Sequence, residues 1–397
     1  MYQFHGFCLM SHHGTYNLFH VPFFVFLSHV SIKMKNINPS KPFNDLPLLP
    51  PPLEKVEAIQ ILKQESKAAV ALAELKGLAR TLPNQGILIN AIVLKEAQAS
   101  SEVENIITTH DKLYQALAAK TITIDPSTKE VLRYREALLY GFEEIKTKGF
   151  LNTNGIARIQ AILEENEAGI RQLPGTSLKN DLTGETIYTP PDDKDAIIKL
   201  MKNLEDFINA EPAEISPLIR MAIQHYQFES IHPFYDGNGR TGRIINVLYL
   251  ILHNLLEIPM LYLSGYIIGH KGAYYRLLQE VRTKDNWEGW ILFMLKAIED
   301  TATKAISQIN GINSIFNEIQ DKVKSEAPKI YSKDLIEQLF VHPYTKIEYI
   351  SSGLGVERKA ASRYLKTLES IGILKLEPIG KENIFINQQL YHLLKQN

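Results

Sequence analysis

From Glu54 almost to the C-terminus, apolar residues recur at helical spacing, and this regularity commits the chain to a mainly α fold. Leu72, Leu75 and Leu78 line one face of an Ala/Leu/Lys-rich helix that Pro83-Asn84-Gln85-Gly86 ends. A partner helix is expected over 87–108, with further helices over 133–146 and 154–170. Residues 192–208 and 216–231 read as amphipathic, with Leu218, Ala222 and Tyr226 on one stripe. Residues 244–255 are nearly all apolar, which places that helix at the centre of the core. Helices over 274–282 and 287–309 follow, and 322–329 reads as a charged, proline-containing linker. The six prolines between Pro39 and Pro52 mark 36–53 as an extended linker.

Two stretches depart from helical periodicity. Residues 178–189 set β-formers on either side of a polar, glycine-containing turn, the pattern of a β-hairpin, and Pro190-Pro191 ends it. In 331–397, helices over 332–340, 346–352 and 357–370 precede two short strands around Gly380. That order is a winged helix-turn-helix.

At 397 residues the chain is long enough for two or three domains, and 45% hydrophobic with 22% charged residues is ordinary for a globular protein. A net charge of -1 argues against a surface that binds nucleic acid or acidic lipid all over, though local basic patches remain compatible with it. Cys8 is the lone cysteine, so neither a disulfide framework nor a Cys-based zinc site is expected. Residues 1–33 look foreign to the rest: His5, His12, His13, His20 and His29 crowd there, and the apolar patch at 18–30 is interrupted by polar residues and Pro22. It is too short to span a membrane and lacks the basic start of a signal peptide. It reads as an upstream extension with Met34 as the true start, and the chain is expected in the cytoplasm, away from membranes. The expected organisation is this extension (1–33), an N-terminal helical region (34–130), a catalytic core (131–315) and the winged helix (325–397).

The chemistry concentrates in His232-Pro-Phe-Tyr-Asp-Gly-Asn-Gly-Arg-Thr-Gly-Arg243. Gly237, Gly239 and Gly242 satisfy the spacing of a dinucleotide-binding loop, and Glu257 follows at about the 20 residues such a loop expects. That loop must follow a strand, whereas 216–231 is helical, so the dinucleotide reading fails. No Gly-Lys-Ser/Thr follows, so the loop is no P-loop either. What survives is the mechanism: glycines allow close backbone approach, and a helix N-terminus attracts an anion. Taken singly, a His before Pro, an Asp-Gly turn or two arginines on a helix are ordinary surface features. A plain turn does not require all of them together between two apolar helices.

The segment resembles the Fic family, matching its motif H-x-F-x-[D/E]-G-N-G-R-x-x-R at every defined position. The resemblance extends from Phe43 to about Ile309. It implies a Fic-type helical core with a small β-hairpin flap, and transfer of AMP from ATP to a Ser, Thr or Tyr hydroxyl of a protein, which may be the chain itself. A homodimer is implied as well. His232 is then the general base. Asp236 holds Mg²⁺ on the phosphates. Gly237, Asn238 and Gly239 supply backbone donors, plus one side-chain amide, forming an anion hole. Thr241 and Gly242 open the helix beneath it, and Arg240 and Arg243 grip the polyphosphate. Phe234 carries no chemistry and anchors the loop. The hairpin resembles the family's flap, with Thr186, Ile187 and Tyr188 as candidates to pair with an extended target segment. Tyr274 and Tyr275 resemble the pair that lines the family's adenine pocket. Gly239 separates this loop from the kinase-like Doc branch, which has Lys there.

Ser100-Ser-Glu-Val-Glu104-Asn105 resembles the family's inhibitory pattern [S/T]-x-x-x-E-[G/N]. Ser100 and Glu104 are four residues apart and share a helix face. The resemblance implies that Glu104 pairs with Arg243 and misaligns bound ATP. In some relatives the equivalent glutamate supports removal of AMP, and transfer of UMP or phosphocholine also stays open. A rival reading makes the chain a DNA-binding regulator whose core senses nucleotide. Arg358, Lys359, Arg363 and Lys366 are basic positions on or near the third helix of the winged module, while Glu357, Glu369 and Glu377 dilute them. That module binds either DNA or a protein partner.

Overall fold

The computed structural model describes residues 37–119, 123–180, 183–212 and 214–395; the expected N-terminal extension and Met34 lie outside them. The fold is mainly helical. Its N-terminal part comprises α1 (Ile59–Ala79), α2 (Gly86–Val103), α3 (His110–Ala118), α4 (Pro126–Lys148) and α5 (Thr153–Glu164). A short hairpin, β1 (Leu178–Lys179) and β2 (Thr186–Tyr188), separates these from α6 (Lys194–Asn209), α7 (Pro217–Ile231), α8 (Asn238–Leu252), α9 (Leu263–Gly269) and α10 (Lys271–Lys284). Then come α11 (Trp287–Glu326), α12 (Lys333–Val341), β3 (Tyr344–Thr345), α13 (Ile347–Leu354), α14 (Arg358–Ser370), β4 (Leu374–Ile379), β5 (Glu382–Asn387) and α15 (Gln388–Lys395).

Local chemistry fixes the helix ends that matter for the site. Asp125 accepts from the Thr128 amide, with Pro126 at the first helical position, and starts α4. Asn152 starts α5 in the same way through the Gly155 amide. α8 is buried on nearly every side and packs against α7, α4, α5, α2 and α9. It is the central helix that the apolar run requires, extended six residues towards its N-terminus into the glycine-rich loop.

Three expectations change. Residues 37–53 lack regular structure beyond a short turn, yet they form a seated strap. Leu46 and Leu49 are buried, the Asn203 amide brackets both backbone polar groups of Leu49 at 2.7 and 3.1 Å, and Gln227 donates to the Pro47 carbonyl. The expected linker at 322–329 is largely helix, because α11 continues to Glu326. Ile312, Phe316, Ile319 and Val323 keep its apolar stripe buried, and Pro328 stops it only afterwards. α4 begins at Pro126, so the 130/131 boundary falls inside a helix.

The C-terminal part has the expected two helices, third helix and hairpin, together with β3 and α15, which the sequence reading missed. The strands form an antiparallel sheet in the order β3-β5-β4, with Leu376 opposite Phe385 and Tyr344 opposite Ile386. Phe340 of α12 packs on Phe316 of α11, ring centroids 5.0 Å apart, so this part shares its core with the long helix. No helix among the described residues is long and apolar enough to cross a membrane.

Candidate active site

The loop between α7 and α8 is held by its own side chains. His232 ends α7 in the left-handed conformation (φ 50°), which turns the chain sharply. Phe234 is fully buried and anchors the turn as expected. The Asn238 amide brackets that residue, accepting from the Phe234 N–H at 2.9 Å and donating to its carbonyl at 2.8 Å. The amide therefore braces the loop, a role beyond the expected one of facing an anion. Gly237 sits at the N-cap of α8 with φ 76°, and a Cβ there would meet Glu164 Oε1 at 2.3 Å.

The helix starts at Asn238, earlier than expected. Its first three N–H groups, on Asn238, Gly239 and Arg240, have no helix carbonyl to bond. The Thr241 amide already donates to Gly237 O at 2.9 Å, so Thr241 and Gly242 lie past the anion-binding end. The helix terminus offers a cradle for phosphate oxygens.

His232, at the start of the same loop, is half-buried, with its Nδ1 shut off from solvent. Burial, reinforced by the charges of Arg171 and Arg282, lowers its pKa to about 4. The ring is neutral at pH 7 and can accept a proton. Asp236 is exposed, and its carboxylate accepts from the Gly237 N–H at 2.7 Å.

The two arginines differ. Arg240 is tied to Glu130 (3.1 Å) and Glu164 (2.8 Å), both from helices on the far side of the loop. Those carboxylates compete with any phosphate for its guanidinium, so its expected grip on polyphosphate is weakened at the outset. Arg243 is fully buried and reaches the segment that carries the expected inhibitory pattern. Its Nε donates to Ser100 Oγ at 2.8 Å, and one terminal nitrogen donates to Ser100 O at 2.9 Å and Glu104 Oε1 at 2.7 Å. Burial opposes the charges of both partners, but their mutual attraction outweighs it: the pKa of Glu104 is lowered and that of Arg243 raised.

The inhibitory pattern acquires a conformational reason. Glu104 is the C-cap of α2, just past the helix, and Asn105 adopts φ 62°. Glycine and asparagine are the residues that tolerate that left-handed position, which accounts for the last position of the pattern. Gly239 completes the fit, since a Cβ on it would lie 2.4 Å from Glu104 Oε1.

The flap is smaller than expected and partly inward-facing; its residues 181 and 182 lie outside the described ones. Tyr188 is buried, donates to Ser230 O at 2.9 Å and carries the Arg282 guanidinium 4.0 Å above its ring. It cannot face a target segment, because it pins the flap two residues before His232. Ile187 is exposed and Thr186 half-buried. Tyr274 is buried too, bonded to His225 Nε2 at 2.9 Å and packed on Trp290, while Tyr275 reaches the surface.

Sequence reasoning missed Arg171 and Glu229. Arg171 is buried and its side chain donates to the His232 and Ile231 carbonyls, while its own N–H bonds Pro233 O. Glu229 lies one turn before His232; burial pushes its pKa up to about 7, and its Oε1 has no hydrogen-bond partner among the described residues. Neither carries a spacing signal that would single it out.

Known proteins match along most of this architecture. Residues 62–143 match the Fic/DOC family N-terminal model, 150–250 the Fic/DOC family model, and 315–390 the model for the C-terminal domain of SoFic-like protein adenylyltransferases. A Fic family protein from Desulfovibrio desulfuricans superposes with a TM-score of 0.55 at 21% identity, covering 83% of this chain and 96% of that one. A Fic domain containing signaling protein from Bacteroides thetaiotaomicron gives 0.51 at 18% identity, over 62% and 97%. At these identities the likeness speaks for the fold. Among curated relatives, the protein adenylyltransferase Fic of Drosophila willistoni is 41% identical over 59 residues, which are 15% of this chain and 12% of that protein. Protein adenylyltransferase fic-1 of Caenorhabditis elegans is 42% identical over 50 residues, 12% of this chain and 10% of its own length. The chain thus spans about an eighth of the first of these relatives. Three family models, which together match most of the chain, show that it belongs to the Fic family.

Proposed function

We propose that this chain transfers AMP from ATP to a Ser, Thr or Tyr hydroxyl of a protein, and that Glu104 holds the activity down at rest. The observation that carries the reading is a neutral histidine in the loop that leads into the open N-terminus of α8, with a buried arginine one turn further on. In the reaction His232 accepts the proton of the attacking hydroxyl. The hydroxyl oxygen bonds the α-phosphorus, the bond to the bridging oxygen breaks, and pyrophosphate leaves. The α8 terminus and Gly239 backbone stabilise charge on the phosphate oxygens. Arg243 serves the γ-phosphate once Glu104 has withdrawn.

Asp236 suits Mg²⁺. Among the described residues no group of three metal-ligating side chains surrounds it, and a lone exposed carboxylate fits an ion otherwise held by water and nucleotide phosphates. When bound, the ion neutralises charge on those phosphates. Thr186 and Ile187 are the flap residues left to guide the target, and Tyr275, the exposed one of its pair, is the candidate to meet an adenine.

ATP labelled on the α-phosphate is expected to leave its label on protein, whereas ATP labelled on the γ-phosphate is not. Retention of the γ-label would point to phosphoryl transfer instead.

A partner reading for the C-terminal part, which we take as a winged helix, rests on α14. Lys359, Ser362, Arg363, Lys366, Thr367 and Ser370 make one stripe of cations and hydroxyls along this helix, with its three basic residues exposed. Glu369, three residues after Lys366, borders that stripe and dilutes its charge. A B-DNA major groove admits such a helix and its phosphates complement the charge. Retention of the full chain on duplex DNA should fall as salt rises, and should weaken in Arg363→Ala/Lys366→Ala; equal retention of both proteins would exclude this use of α14.

A further inference from the structure

The segment bearing Glu104 is short and lies between two helices that both touch the C-terminal module. On the α2 side, the Asn90 amide donates to Val341 O at the end of α12 (3.1 Å), and Arg135 of α4 fixes that amide at 2.9 Å. On the α3 side the contacts are denser. Asp111 accepts from the hydroxyls of Tyr344, at 3.0 Å, and of Tyr391. Tyr114 of α3 stacks on Tyr344 with centroids 5.3 Å apart and meets Tyr391 edge-on at 6.2 Å. The C-terminal end of α3 is capped by the same module: Lys346 donates to Ala118 O at 2.7 Å, and Tyr349 to Leu117 O at 3.0 Å. Those are carbonyls that no helix N–H can satisfy.

Between the clamped helices Ile107 is 69% exposed, and the turn rests on the Glu104, Asn105 and Ile106 amides bonding back to Ser101 and Glu102, on Lys271 donating to Asn105 Oδ1 at 3.1 Å, and on the Gln98 amide donating to Thr108 O at 2.8 Å. Movement of this turn carries Glu104 off Arg243, and the turn is strung between α2 and α3. Fixing both helices holds the backbone that presents the carboxylate.

We propose that the C-terminal module is the latch of the brake: by clamping α2 and α3 it keeps the intervening turn, and so Glu104, seated on Arg243. The proposal rests on the reading of Glu104 as inhibitory. It makes the module a lever, since any partner that draws β3 or α15 away from α3 frees the segment without touching the catalytic loop.

Tyr344→Phe/Tyr391→Phe keeps the stacked rings and removes both hydroxyls from Asp111. In the full chain this variant is expected to raise AMP transfer about three- to tenfold, the effect of two lost hydrogen bonds on a coupled equilibrium. Asp111→Asn, which weakens the same contacts from the other side, should act in the same direction. Added to Glu104→Gly the tyrosine pair should change nothing, because the brake it latches is already gone. Hydrogen exchange at the 104–106 amides should quicken while α8 keeps its protection. An active Glu104→Gly variant beside a tyrosine variant no faster than wild type, or gains that multiply when combined, would overturn the latch. If Glu104→Gly itself gains nothing, the inhibitory reading fails, and the 104–106 amides still decide the clamp: unchanged exchange there would overturn it.

Discussion

Glu104→Gly is expected to raise AMP transfer by about 5- to 150-fold, the span of a coupling free energy of about 1–3 kcal/mol. The size follows from where the carboxylate sits. It shares the guanidinium of a fully buried arginine with Ser100, and it occupies space that only a glycine at 239 leaves open. A carboxylate in that place both satisfies Arg243 and repels a triphosphate. Glycine at 104 removes both effects and is compatible with the C-cap backbone (φ -92°, ψ 18°). Removal has a cost, since Arg243 then keeps Ser100 but loses its nearest counter-charge, and an uncompensated buried charge is destabilising. The variant should therefore unfold at lower temperature than wild type when free, and should gain more stability from ATP and Mg²⁺. A variant with wild-type activity across ATP concentrations would remove the brake from the account.

The second large effect is a loss. In the activated background, removing the His232 imidazole is expected to lower transfer by about 10²–10⁴-fold, the usual worth of a general base. Alanine is an imperfect probe here, because position 232 is left-handed with φ 50° and a β-carbon is disfavoured there. His232→Asn tolerates that conformation better and is the fairer test. Both variants should still be stabilised by ATP, since the phosphate cradle is backbone. Retained transfer by His232→Asn with unchanged ATP binding would move the base elsewhere; Glu229, buried one turn upstream, is the nearest alternative carboxylate.

The catalytic loop was legible because its residues are contiguous and their spacing is demanding. Phe234 is buried as the sequence suggests, and Ser100 and Glu104 reach Arg243 across the fold. What the spacing did not carry was where each side chain spends its hydrogen bonds. Asn238 turns inward to brace Phe234, and Arg240 is taken by Glu130 and Glu164, partners set by tertiary packing that one local motif cannot report. Tyr188 was misplaced for a related reason: alternation in a three-residue strand does not say which face is covered. Arg171 and Glu229 act by burial against the loop and have no pattern of their own. In the fold, the charged end of α11 concealed an apolar stripe that keeps the helix intact to Glu326, and β3 is too short to produce a strand signal.

The central claim is a complete transferase held off by one glutamate. It is tested most directly by the intact mass of the purified chain after incubation with ATP and Mg²⁺, wild type beside Glu104→Gly. The account predicts that the variant gains adenylyl groups, mapped to Ser, Thr or Tyr side chains, while wild type gains far fewer. Equal mass distributions for the two proteins would contradict it.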